Sequence, residues 1–235
     1  MQTVLLADGA EGFSEELRQI LSSEYEVLSA QDGSKAMALL KECRPDLLIL
    51  DLEVPMIDGL TLLQRLTHDD HRPAVLVLAR LLSDYTVDAL SRMGVGYLMR
   101  KPCKAMNVAD RAKELLAYQA KEDARINRSI AHMLEALSMP MNLRGSKYLP
   151  MAIRAMRADP AQYITKELYP SIGKTYGIDG KRVERCIRNA IDKGWECGDP
   201  EIWKRYFGVD KNGNTIKPSN SVFILKLVEI LTMDL

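Results

Sequence analysis

Five short apolar runs, at residues 4–7, 27–29, 47–50, 74–78 and 97–99, alternate with longer amphipathic stretches through residue 118. This alternation constrains the first half of the chain more than any other feature. Runs that are apolar throughout fit strands buried on both faces, and strands separated by helices fit a parallel sheet. The stretches between them read as helices. Ser14 is placed to cap one that carries Leu17, Ile20 and Leu21 on a single face. Asp32-Gly33 turns into another, with Met37, Leu39 and Leu40. The expected fold is a doubly wound, five-stranded parallel sheet. In such sheets ligands bind beyond the carboxyl ends of the strands, where the strand order reverses.

Asp8, Asp51 and Lys101 each fall at or just after such an end. A single charge there is ordinarily a solvated loop residue, but three at equivalent positions suggest a site. Two carboxylates can hold Mg²⁺, which takes oxygen ligands and keeps waters and a phosphate oxygen. An aspartate can accept a phosphoryl group as a nucleophile, and a lysine can pair with its oxygens as a point charge.

The formal charge is zero, yet the halves differ. Residues 1–120 hold 13 Lys and Arg against 18 Asp and Glu, and the remainder holds 19 against 14. An acidic half joined to a basic one suits a regulatory domain tethered to a nucleic-acid reader. The four cysteines show no C-x-x-C pairing, which favours a reducing cytoplasm over a disulfide scaffold or a zinc site. The N-terminus reaches Asp8 too soon for a signal peptide, and no run nears the roughly 18 apolar residues of a membrane helix. His68 and His71 flank two aspartates and read as a loop rather than a metal site.

Residues 119–128, QAKEDARINR, are a linker that composition leaves open between a helical extension and a loose tether. The boundaries are thus 1–118, 119–128 and 129–235. The last segment reads as all-α. IAHMLEAL stops before Pro140, a helix covers residues 149–157, Asp159-Pro160 starts another, and Asn220 or Ser221 caps a final apolar helix. Within it, YPSIGKTYGIDGKRVERCIRNAI looks like two helices joined by a tight turn. Gly173 marks a close approach of the first helix to the second, and Gly177 supplies the positive φ that ends the first. Val183, Ile187, Ala190 and Ile191 give the second an apolar back, opposite Lys181, Arg182, Arg185, Arg188 and Asn189. A solvated basic helix would look similar, but the glycine turn favours a helix-turn-helix that enters the DNA major groove.

Residues 46–59, DLLILDLEVPMIDG, with Asp8 upstream and Lys101-Pro102 downstream, resemble the receiver domain of bacterial response regulators, whose fold is flavodoxin-like. The resemblance implies Asp51 as phosphoacceptor, Lys101 as the phosphoryl contact, and Mg²⁺ held by Asp8, Asp51 and the backbone carbonyl of Glu53. It also implies a cis bond before Pro102. Departures are visible. Gly9 stands where receivers place a second acid, which weakens the attraction for Mg²⁺. Ala79 stands where they carry Ser or Thr, and Leu98 where they carry the switch aromatic, with Tyr97 one place off. These departures make phosphorylation doubtful as the control and leave constitutive action, or control by a protein or small molecule, at least as favoured.

ITKELYPSIGKTYG, KRVERCIRNAIDKGW and KPSNSVF resemble the C-terminal DNA-binding domain of the sporulation-initiation regulators of endospore-forming bacteria, over residues 127–235. The resemblance implies a TGTCGAA-type site, double-stranded DNA and RNA polymerase as partners, a kinase or phosphotransferase as donor, and a homodimer on DNA. It places Arg182, Glu184 and Arg185 on base edges, where Arg pairs with guanine and Glu accepts from cytosine N4. Arg188 and Asn189 suit phosphates, and Lys181 suits either. The competing account of Glu184 is an i,i+4 pair with Arg188. Three other functions fit less well: a paralogue acting by heterodimerisation or site competition, an aspartyl-phosphate phosphohydrolase, and a protein-interaction module. No catalytic residue is assigned and an enzyme is not expected.

Overall fold

The computed structural model describes residues 1–66 and 72–233. His68 and His71 lie outside the described residues. The chain divides into two compact units, Met1–Glu122 and Asp123–Leu235.

The first unit alternates strands β1 (Thr3–Ala7), β2 (Glu26–Ala30), β3 (Leu47–Asp51), β4 (Ala74–Ala79) and β5 (Tyr97–Arg100) with helices α1 (Glu11–Leu21), α2 (Gly33–Cys43), α3 (Gly59–Leu66) and α4 (Asp84–Arg92). The five strands pair in parallel in the order β2-β1-β3-β4-β5. Every residue of β3 is buried, as the unbroken apolar run requires. Leu5, Leu48, Leu50 and Val77 pack toward one face of the sheet with α2 and α3. Val4, Leu6, Ile49 and Leu76 pack toward the other with α1 and the start of α5 (Ala105–Ala136). The strand order reverses between β1 and β3, so the carboxyl ends carrying Asp8 and Asp51 are neighbours.

Two local expectations need correction, and one open alternative is resolved. Ser14 does not cap α1. The helix starts at Glu11 behind an extended Ala10, and the Ala10 N–H donates to Asp8 Oδ1 at 2.7 Å. Residues 119–128 are helical within the uninterrupted α5. They contain neither Gly nor Pro and are rich in good helix formers, and Ile126 is buried. Asp159-Pro160 lies in a turn; helical backbone resumes only at a π-helical turn, Ile164–Leu168.

The second unit is helical: α6 (Arg144–Ala158), α7 (Tyr169–Tyr176), α8 (Gly180–Cys197), α9 (Pro200–Phe207) and α10 (Asn220–Met233). Helix α6 begins five residues before the predicted start and carries Pro150 inside. The cap of α10 is Ser219, whose Oγ accepts from Val222 N–H at 3.3 Å, rather than Asn220 or Ser221. A single core gathers Leu149, Ile153, Ile172, Val183, Ile187, Ile191, Trp203 and Phe223. At Gly145 the backbones of α6 and α8 nearly touch: a Cβ there would lie 2.0 Å from the Cys186 carbonyl oxygen.

Candidate phosphoacceptor pocket and DNA-reading helix

Asp8 and Asp51 are buried at neighbouring strand ends, and Lys101 reaches both from the end of β5. Lys101 Nζ lies 2.8 Å from Asp8 Oδ2 and 2.7 Å from Asp51 Oδ2. Each carboxylate turns its other oxygen to a backbone donor: Asp8 Oδ1 accepts from Ala10 N–H, and Asp51 Oδ1 from Glu53 N–H at 3.0 Å. Burial alone would lower the lysine pKa. The bonds to Asp51 and Asp8 outweigh it, and the ammonium is held above its ordinary range. The Lys101-Pro102 peptide is cis, and the Lys101 N–H donates to the Ala79 carbonyl at 2.8 Å, which ties the end of β5 to that of β4. The three residues that the sequence pattern singles out are therefore one hydrogen-bonded cluster.

A cavity of about 480 Å³ opens beside this cluster, lined by Ala10, Phe13, Arg80, Lys101, Pro102 and Cys103. Phe13 places its ring 5.5 Å from Lys101 Nζ. Burial pushes the Cys103 thiol up, so it is not a ready nucleophile. Arg80 and Phe13 were not expected at the site. The signal for Arg80 was present: it is a charged residue directly after an apolar strand, as Asp8 is.

As a Mg²⁺ site the donor set is thin. Asp8 and Asp51 supply carboxylates and Glu53 has a backbone carbonyl, but the Glu53 side chain is exposed and turns to Arg80, Nε to Oε2 3.4 Å. Gly9 brings no side-chain oxygen, and a Cβ there would sit 3.2 Å from the Pro55 ring. Among the described residues no three His, Cys, Asp or Glu side chains converge as a metal cluster. The two carboxylates suit a hard cation that keeps most of its water, and the fit is partial. At the positions of the missing switch groups, Ala79 offers a methyl group. Leu98 packs against the apolar core, and Tyr97 is exposed, stacked with Arg111.

In the second unit, Gly177 ends α7 at φ +64°, in the left-handed region, and the turn over residues 177–179 leads into α8. Gly173 makes its close approach to that turn rather than to the body of α8: a Cβ would fall 2.5 Å from the Ile178 carbonyl oxygen. Asp179 caps α8, accepting from Arg182 N–H at 2.7 Å. Val183, Ile187, Ala190 and Ile191 are fully buried. Lys181, Arg182, Glu184, Arg185, Arg188 and Asn189 are all exposed. None of the four cations forms an ion pair among the described residues, and Glu184 and Arg188 are not paired with each other. From α10, Asn220 Nδ2 donates to the Glu184 carbonyl at 3.0 Å and pins the exposed face from behind. The sequence pattern offers Asn220 or Ser221 as a cap and carries no sign of this tie.

Residues 4–113 match the family described as response regulator receiver domain, and residues 130–231 match sporulation initiation factor Spo0A C terminal. Among solved structures, the chain is similar to the receiver domain of a signal transduction histidine kinase from Syntrophus aciditrophicus, at 29% identity and TM-score 0.45. That match covers 50% of this chain and 91% of the other. It is also similar to a CheY-like receiver domain protein from Methanospirillum hungatei, at 21% identity and TM-score 0.48, covering 52% and 98%. A third is the receiver domain of Francisella response regulator 1452, at 22% identity and TM-score 0.47, covering 51% and 99%. No described helix is long and apolar enough to cross a membrane.

Proposed function

The chain belongs to the sporulation response-regulator family, DNA-binding transcription regulators with a receiver domain, and from that premise we propose how its own residues divide the work. Helix α8 reads DNA in the major groove, with Arg182, Glu184 and Arg185 on base edges. Arg188 and Asn189 hold phosphates, and Lys181 stands at the helix start. The observation that carries this is the exposed face itself: four cations without ion-pair partners among the described residues, held by a buried apolar back and a capped first turn. A carboxylate on a face meant for phosphates is unfavourable, and Glu184 does not offset its charge against Arg188. Accepting from a cytosine N4 amine gives it a purpose.

In the receiver, Asp51 is the phosphoacceptor and Lys101 the cation that meets the phosphoryl oxygens. A carboxylate oxygen of Asp51 attacks phosphorus, and the new P–O bond forms as the bond to the donor's leaving group breaks. Asp8, Asp51 and the Glu53 carbonyl would hold Mg²⁺, which would supply positive charge to the phosphoryl oxygens. Gly9 keeps that hold weak. The donor is a kinase or phosphotransferase, the DNA partner is double-stranded, and the site of action is the cytoplasm, consistent with four free cysteines. The family is one of regulators rather than enzymes.

The test is a panel of duplexes with each base pair of the TGTCGAA-type site substituted in turn. Glu184→Gln should lose discrimination of about 1–3 kcal/mol at one C·G pair and leave the others unchanged. Uniform weakening at every position would contradict base reading by Glu184.

A further inference from the structure

We propose that Arg80 is a second cationic contact for the phosphoryl group on Asp51, and that it reaches this group by exchanging its partner Glu53 for phosphoryl oxygens. The proposal rests on the reading of Asp51 as phosphoacceptor.

Placement comes first. Asp51 is paired in register with Leu78, so Arg80 follows two residues later, directly after the adjacent strand, whose spacing is about 5 Å. Arg80 and Lys101 line the same cavity, and Lys101 Nζ already touches Asp51. Ala79, which precedes Arg80, has no hydroxyl to compete for the phosphoryl oxygens.

Charge supplies the need. In the resting site a single ammonium serves two carboxylates. Conversion of Asp51 to an acyl phosphate adds about one further negative charge and three acceptor oxygens. Lys101 is then outnumbered, and the planar guanidinium fork of Arg80 matches phosphate oxygens two at a time. Its present partner is easily given up. The Arg80–Glu53 contact is long at 3.4 Å, and the two side chains are 68% and 45% exposed, so the pair holds weakly. Glu53 is itself tied to the site, since its N–H donates to Asp51 Oδ1. The exchange therefore occurs at the rim of the pocket and carries the charge state of Asp51 to the loop between β4 and α4.

The test is calorimetric titration of the full chain with beryllofluoride in the presence of Mg²⁺, the fluoride mimicking the phosphoryl group. Arg80→Ala should weaken beryllofluoride binding about 10- to 100-fold, with Mg²⁺ binding measured alone unchanged. Glu53→Gln should tighten it by freeing Arg80, and this gain should vanish when Arg80 is already alanine. Equal affinity in wild type and Arg80→Ala, while Asp51→Asn abolishes binding, would overturn the role of Arg80 and leave Asp51 standing. A Glu53→Gln gain that persists without Arg80 would also overturn the exchange, because it would be a general charge effect. A wild-type chain that binds no beryllofluoride would overturn both readings.

Discussion

The receiver pocket and the α8 face both concentrate charge, but they treat it in opposite ways. In the pocket, Asp8, Asp51 and Lys101 are withdrawn from water, and one ammonium offsets part of the charge of two carboxylates at 2.7–2.8 Å. On α8 the cations stand exposed without ion-pair partners among the described residues. Buried charges must be matched or they cost several kcal/mol, so the pocket is structural as well as chemical. Exposed charges cost little, and the α8 face is free to spend its whole interaction on a partner. Substitutions should therefore cost stability in the pocket and DNA affinity on the helix.

The sharpest contrast is Lys101→Ala. It leaves two buried carboxylates without a cation, and the first unit should lose about 3–5 kcal/mol in chemical denaturation. The sign with pH follows from the raised lysine pKa. The pair's contribution is complete below the unfolded lysine value of about 10.4 and is lost as pH rises through the higher folded value. Alkaline denaturation should show this loss in wild type and not in Lys101→Ala. A variant as stable as wild type would break the comparison.

Gly145→Ala tests the scaffold behind the helix. Its Cβ would collide with the Cys186 carbonyl, and forcing α6 from α8 should cost about 1–3 kcal/mol of thermal stability in the second unit. Arg185→Ala tests the exposed face. Stability should stay within about 0.5 kcal/mol, while affinity for the specific duplex falls by about 1–3 kcal/mol. The smallest expected effect is Asp179→Ala, which removes the α8 cap and should cost about 1 kcal/mol by denaturation.

The same contrast explains what could be read from the chain alone. The sheet was legible because β3 and its neighbours are apolar on both faces, and the period-free runs mark where each strand ends. Strand ends in turn bring Asp8, Asp51 and Lys101 together. The back of α8 was legible from Val183, Ile187, Ala190 and Ile191. Less legible were features set by long-range packing. Ser14 looks like a cap, but Asp8 meets the Ala10 N–H and starts α1 earlier. Asn220 looks like a cap, but its amide is bonded to the Glu184 carbonyl, 36 residues away. Phe13 joins the pocket through its shared cavity with Lys101, a relation that spacing along the chain does not encode. The roles of individual α8 side chains came from resemblance, because periodicity separates the exposed face from the buried one without saying what the exposed face touches.

The most direct test of the account is fluorescence anisotropy of the full chain on a duplex carrying the TGTCGAA-type site against a scrambled duplex of equal length, at one fixed salt concentration. The account predicts binding to the specific duplex at least about 10³-fold tighter. Equal affinity for the two duplexes would contradict it, reducing the α8 face to a phosphate-binding surface without base readout.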